Sequence, residues 1–294
     1  VEASAITLLT TYLAASVRMA VPLTLAGLGE AVSEKSGVIN IGLEAIMLLG
    51  AFCSFIVTFY TKNLILGLAA GALGGAAVSM LHAVLSIYCR VNQTISGLAL
   101  NFTVSGLTSF LFLIVFGQST ELPVCNVFDN KNIFVYIALA CVAAAAIVFY
   151  RSEWGVRLHA VGEHPRAADT AGISVSAIRY GACLVNGLLG GLAGSYITLS
   201  QLGFFMENIT AGKGYIALAV VILGRRNPVG IFLAAMVIGF SEALQFNLQT
   251  LGFSAPSQVF TMFPYLMAVA VLLLSIGKSG DPAALGIPYE RDKR

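Results

Sequence analysis

Arg18, Glu44, His82 and Glu242 are ionisable side chains set inside runs that are otherwise apolar. A charge near the centre of a bilayer costs at least about 2.5–3.5 kcal/mol, so such residues face a bundle interior or water and mark polar paths, proton relays or internal ion pairs. Glu44 follows GVINIG, where Gly37, Asn40 and Gly42 interrupt the helix and put a carboxylate beside an unwound turn. Two readings stay open for it: a station on a substrate path, or an internal pair, with Arg18 as the candidate partner, that fixes packing. Asn40, Asn101, Asn186, Gln201 and Gln245 are polar candidates for the same path, and each also suits a structural role. Phe102, Tyr196, Phe204 and Phe205 could stack on a base, although aromatic residues gather near membrane interfaces for other reasons.

Catalytic patterns are missing. The chain has no GxxxxGK[ST] phosphate loop, no GxSxG and no HExxH, so no catalytic residue is assigned and ATP hydrolysis by a phosphate loop is excluded. No metal site is expected, because His159 and His164 are five residues apart and do not share a helix face, and no CxxC occurs. Cys53, Cys89, Cys141 and Cys183 lie in or beside apolar runs, with Cys125 in a polar loop, as small packing residues rather than a disulfide framework.

The other chemically rich stretch is RSEWGVRLHAVGEHPRAADTAGISVSAIR, residues 151–179, with four arginines, three acids and two of the three histidines. Pro165 is placed to open a short helix that Gly172 ends, and Gly155 and Gly162 punctuate the residues before it. Such an island is too polar for lipid and suits docking on a soluble partner.

The elements that must carry these residues are membrane helices. A chain that is 58% hydrophobic and 10% charged, with a mean hydropathy of +0.88, suits a lipid solvent, and its runs lack the alternation of a β-barrel strand. Crossing a bilayer takes roughly 20 helical residues. Apolar runs at 5–29, 36–60, 64–89, 94–117, 133–150, 177–200, 210–224, 229–249 and 258–276 predict an all-α polytopic bundle of about nine (eight to ten) crossings in a single transmembrane domain, 1–294. Glu2 in place of a basic n-region predicts no removable signal peptide. With the island on the cytoplasmic side, that side receives Lys35, Arg90, Arg151, Arg157, Arg166, Arg179, Arg225, Arg226, Lys278, Arg291, Lys293 and Arg294. Lys62, Lys131 and Lys213 fall opposite. The positive-inside bias then predicts an external N-terminus and a cytoplasmic C-terminus.

Gly67, Gly71, Gly75 and Ser79 recur every fourth residue, as do Gly187, Gly191 and Ser195, which is the pattern of close helix packing in lipid. INIGLEAIMLLGAF followed by a Gly/Ala-rich helix resembles GYIALAVVILG followed by VGIFLAAMVIGFSEAL, with Gly67 and Gly230 opening comparable helices. An odd number of crossings separates the copies, so the repeats would be inverted, with a path at their interface. The sequons at Asn92, Asn101 and Asn208 fall near or inside membrane runs, where glycosylation is not expected.

At GLGEAVSEKSGVINIGLEAIMLLGAF, GVRLHAVGEHPRAADTAGISV and GKGYIALAVVILGRRNPVGIFLAAMVIGFSEAL the chain resembles permeases of bacterial ABC importers in the simple-sugar and branched-chain amino-acid superfamily. Within it, the chain is most similar to the shorter permease of the nucleoside-uptake branch. The resemblance, from about residue 15 to 275, implies a non-catalytic subunit in a bacterial plasma membrane and a second, related permease. It also implies cytoplasmic ATP-binding subunits that carry ATP and Mg, and an extracellular substrate-binding lipoprotein; nucleic acid is not a partner. In that family the island is the coupling element, a role that would fall to Gly155, Arg157, Gly162, Glu163, Pro165, Ala168 and Gly172. NIGLEAIMLLG and AGKGYIALA resemble the nucleoside branch more than ribose permeases, which tend to have GGIDLSVG at the former position.

Three alternatives compete with nucleoside import: the same machine carrying a sugar or branched-chain amino acid, a proton-coupled secondary transporter with Glu44 as proton carrier, and a membrane scaffold that transports nothing. The Gly/Pro-patterned island favours the ABC readings, since a secondary carrier needs no ATPase dock.

Overall fold

Backbone amides and carbonyls in hydrocarbon must be satisfied within the chain, and apolar runs of this length do so as helices. The structure, a computed structural model, describes residues 2–117, 122–250, 257–274 and 280–290. Its helices are α1 (Glu2–Lys35), α2 (Leu43–Thr61), α3 (Leu64–Ala83), α4 (Gln93–Phe116), α5 (Ile133–Arg151), α6 (Glu153–Glu163), α7 (Pro165–Thr170), α8 (Val175–Tyr196), α9 (Lys213–Leu223), α10 (Pro228–Thr250), α11 (Ser257–Thr261) and α12 (Phe263–Leu274). A π-helical segment extends α3 over Val84–Tyr88 and another extends α8 over Ile197–Leu202. Seven of these are long and apolar enough to cross a membrane, and Lys213–Leu223 and Gln258–Ala270 are shorter apolar helices.

Small residues set the core of the bundle. A Cβ added at Gly50 of α2 or at Gly75 of α3 would lie 2.6 Å from the Cα of Gly191 in α8, so three backbones converge where only glycine fits. Ser79 closes the same seam by donating to the Cys183 carbonyl at 2.6 Å. Tight packing is therefore the role of both glycine ladders. Asn63 and Asn92 cap α3 and α4, their side chains accepting from Ile65 N at 2.9 Å and Thr94 N at 3.0 Å.

Three expectations are corrected. EAVSEK, residues 30–35, falls between the predicted runs as a polar connection, yet it is the last part of α1, with Glu30 and Glu34 buried. The island holds two helices, not one: Pro165 opens α7 as expected, but Gly155 and Gly162 lie inside α6. They are there for close approach, since a Cβ on either would strike the backbone carbonyl of Val148 or Lys35. Lys213, counted among the basic residues of the external side, is not on that surface. It sits in the first turn of α9, paired with Glu242 of α10, and both side chains are mostly buried.

The polar segments sort to two ends. Lys35, α6, α7, the α9–α10 turn and residues 280–290 form one end, while Lys62 and the 122–132 segment meet at the other, where Asn126 donates to the Lys62 carbonyl. Lys278, Arg291, Lys293 and Arg294 lie outside the described residues.

Candidate functional site

The interruption between α1 and α2, residues 36–42, organises the site. Its backbone cannot pair within a helix, so other elements satisfy it. Gln93 accepts from Ile39 N at 2.9 Å, and His82 bonds the Ile39 carbonyl at 3.1 Å. Glu30 accepts from Asn40 N at 2.7 Å, and Asn101 donates to the Ile41 carbonyl at 3.0 Å. Arg179 donates to the Ser36 carbonyl at 3.1 Å and Gly286 N to the Gly37 carbonyl at 3.0 Å. His82 is thus a structural brace, also bonded to Ser86 and Ser96.

Just beyond this turn Glu44 occupies the first turn of α2 and faces the start of α9. Its Oε1 accepts from the Thr210 hydroxyl at 2.5 Å and from Gly212 N at 2.8 Å, and its Oε2 accepts from Gly214 N at 2.6 Å. A carboxylate between two helix N-termini is favoured by both dipoles, and its two oxygens accept three hydrogen bonds there. Glu44 therefore does not pair with Arg18. Asn101 of α4 completes the cluster: its Oδ1 accepts from Ala45 N at 2.9 Å while its Nδ2 donates to the Tyr215 hydroxyl at 2.9 Å. α9 is 11 residues long, about 16 Å at 1.5 Å per residue, so this meeting point lies about 16 Å along α9 from the α9–α10 turn.

The six predicted path residues separate into four places. Glu44 and Asn101 meet at the α9 terminus. Asn40 and Asn186 meet instead around Glu30, which accepts from Asn186 Nδ2 at 2.6 Å as well as from Asn40 N. Gln201 joins neither, its Nε2 lying 3.6 Å from the Met19 sulfur. Gln245 is buried in α10. Two of the proposed stacking aromatics are engaged elsewhere: Phe205 is buried among Phe52, Phe55 and Phe112, and Tyr196 packs on Phe134 with its hydroxyl on the Arg18 carbonyl. Phe102 is 79% exposed on the bundle's outer surface.

The island residues divide by face. Gly155, Gly162 and Ala168 turn inward, Ala168 packing with Val161, Ile173, Val175 and Tyr289. Arg157 is exposed and bonded to Glu153 at 3.0 Å, Glu163 is exposed, and exposed Gly172 has a φ of +85°, the left-handed geometry that ends α7. His159 of α6 lies 2.7 Å from the Lys35 ammonium. Burial, and then that positive charge, push its imidazole below the ordinary range.

The family described as "Branched-chain amino acid transport system / permease component" matches residues 12–272. The chain belongs to that family. The permease is 33% identical to the "Guanosine ABC transporter permease protein NupQ" of Bacillus subtilis, over 94% of this chain and 95% of the relative. It is 33% identical to the "Nucleoside ABC transporter permease protein NupC" of Lactococcus lactis, over 92% and 94%. It is 34% identical to the "Putative glucose ABC transporter permease protein TsgC13" of Haloferax volcanii, over 95% and 97%. A solved structure described as "An inward-facing conformation of a putative metal-chelate type ABC transporter" shares the fold, with a TM-score of 0.54 at 16% identity over 90% of this chain and 85% of that one. The protein is thus a multi-pass membrane permease of the ABC transporter class, a membrane component and not the ATP-hydrolysing part.

Sequence reasoning missed much of what holds this permease's site. Glu30, Glu34 and Arg226 are buried charged residues, and Arg226 pairs with both Glu34 and Asp281. The signal for them was present: two acids four residues apart in EAVSEK on one helix face, and the paired arginines of GRRNP. Thr210 and Tyr215, which flank Glu44 and Asn101, carry no such signal.

Proposed function

We propose that the permease translocates nucleosides in an ATP-driven importer, working beside a second, related permease, with cytoplasmic ATP-binding subunits below and an external binding lipoprotein above. The cluster of Glu44, Asn101 and Tyr215 carries this reading. It sets an ordered carboxylate, an amide and a half-buried phenol where the starts of two helices meet. Tyr215, 44% exposed, offers an aromatic face and a hydroxyl, which suit a nucleobase and its ribose. The two nucleoside-named relatives support the same class.

The start of α2 and the start of α9 each follow a glycine-containing break, and they meet at Glu44, as inverted repeats built on α2–α3 and α9–α10 would. In this reading residues 151–179 lie between the halves of one transmembrane domain, on the cytoplasmic side of a bacterial plasma membrane, with the N-terminus outside. Arg157, Glu163, Pro165 and Gly172 form the outward ATPase-docking face, while Gly155, Gly162 and Ala168 seat that face on the bundle.

The relative named for glucose supports a second reading, a sugar as cargo. Proteoliposomes holding the complete complex, internal ATP and no proton gradient separate the two. Uptake of radiolabelled guanosine that excess adenosine competes and glucose does not is the expected result; glucose uptake alone would reject the nucleoside reading, and uptake without ATP would reject the importer.

A further inference from the structure

Residues 281–290 run across one end of the bundle and are tied to it at nearly every step. Ala283 N donates to the Glu163 carboxylate at 3.3 Å and Ala284 N to the Gly162 carbonyl at 2.9 Å, both in α6. Gly286 N donates to the Gly37 carbonyl at 3.0 Å, and Arg179 bonds the Ile287 and Ser36 carbonyls together, each at 3.1 Å. The Tyr289 hydroxyl reaches Asp169 of α7 at 3.0 Å, and Glu290 lies 3.4 Å from Arg90. One short strap therefore holds the two island helices and the break before α2 at once.

The strap is anchored at its start by Arg226. This side chain is 5% exposed; its Nε pairs with Glu34 and its Nη1 lies 2.5 Å from Asp281 Oδ1. Glu34 is one helical turn from Glu30, the acid that holds Asn40 N and Asn186. The turn that delivers Arg226 is unfavourable in itself: Arg225 and Arg226 have φ values of 52° and 54°, in the left-handed region that non-glycine residues rarely adopt. A buried ion pair is weak as a source of stability, and with a strained backbone beneath it fits a positional role better.

We propose that Arg226 is a positioning residue for coupling: by clamping the 281–290 strap to α1, it makes the strap a link that carries displacement of α6 and α7 to residues 36–44, where Glu44 begins α2. This rests on the reading of the island as the ATPase dock.

Hydrogen–deuterium exchange on the whole complex, copurified with its ATPase and trapped with ATP and vanadate, tests the link without need of a substrate. In the wild type, trapping changes exchange in both 153–172 and 36–44. In Arg226→Gln and Asp281→Asn the first change remains and the second falls about fivefold or more, while Arg226→Lys restores much of it. Guanosine delivered per ATP hydrolysed falls in parallel. A merely structural residue would lower the amount of complex but leave the survivors responding as wild type, and that result overturns the proposal. So does a wild type with no change in 36–44. If Arg226→Gln fails to assemble, Asp281→Asn, whose carboxylate is 52% exposed, decides by the same criterion. A wild type that shows both changes but moves no guanosine refutes the substrate reading and leaves the link standing.

Discussion

Gly214 N donates to the Glu44 carboxylate at 2.6 Å, and a Cβ on Gly214 would lie 2.5 Å from the Glu44 Cα. The two residues are in direct contact across the ends of two helices, so the acid serves first to lock α9 against α2. Both of its oxygens are part of that lock: Oε1 accepts from the Thr210 hydroxyl and Gly212 N, and Oε2 from Gly214 N.

Glu44→Gln therefore does more harm than its shape suggests. Its amide nitrogen must face one of the donors on Glu44, losing a bond to a charged group worth about 1.5–3 kcal/mol. Glu44→Gln is expected to lower ATP-driven guanosine uptake about tenfold or more, and Glu44→Leu to abolish it, at matched expression. Full uptake in both variants would reject the lock.

The meeting of α2, α3 and α8 gives a stability test. Gly50→Ala puts a methyl group 2.6 Å from Gly191 and should destabilise the protein in detergent by about 1–3 kcal/mol. Gly181→Ala, where nothing lies within 4 Å, is the control and should leave the thermal midpoint unchanged.

His159 makes the seat of α6 sensitive to acid. Its folded-state pKa is depressed, by burial first and by Lys35 second, so the unfolded or opened state binds the proton more readily. The stabilisation is present above the ordinary imidazole pKa and is lost as pH falls below it. Amide exchange in residues 153–163, corrected for intrinsic rate, should rise between pH 7.5 and pH 5.5; His159→Gln should flatten that dependence, and an unchanged slope would exclude the imidazole as its source.

Orientation can be read from single cysteines in a Cys-free background. Asp129→Cys, exposed at the end that holds Lys62, should react with an impermeant maleimide added to intact cells. Pro165→Cys should react only after the membrane is opened. The opposite pattern would invert the topology.

Arg166 and Ala168 separate docking from seating. Arg166→Glu changes an exposed charge on α7 and should reduce copurification of the ATPase from a normally folded permease. Ala168→Asp places a charge in the buried contact with Tyr289 and should lower permease yield itself.

The helices were legible because lipid imposes one rule on every crossing: most long apolar runs became single helices, the exceptions being the break at 36–42 and the division of 258–274 between α11 and α12, and Pro165 opened α7 where its fixed φ suits a first turn. What was not legible depends on partners distant in the chain. EAVSEK looks like a loop until Arg226, nearly two hundred residues later, neutralises Glu34. Gly155 and Gly162 look like breakers until α5 and α1 press against them, and Phe205 looks like a stacking platform until three other phenylalanines enclose it. Glu44 and Asn101 could be singled out by polarity alone, but their separation from Asn40, Asn186 and Gln201 is a matter of depth and direction that spacing does not encode.

The 281–290 strap also bears on how the protein is made. The ribosome releases the α1–α2 break early, and the bonds from Gly286 to Gly37 and from Arg179 to both Ser36 and Ile287 can close only after most of the chain has entered the bilayer. Until then the Gly37 carbonyl lacks the Gly286 N–H that it accepts from in the folded protein. Protease sensitivity of residues 36–42 in nascent chains stalled before position 281 should therefore exceed that of chains that extend past position 290 and have been released.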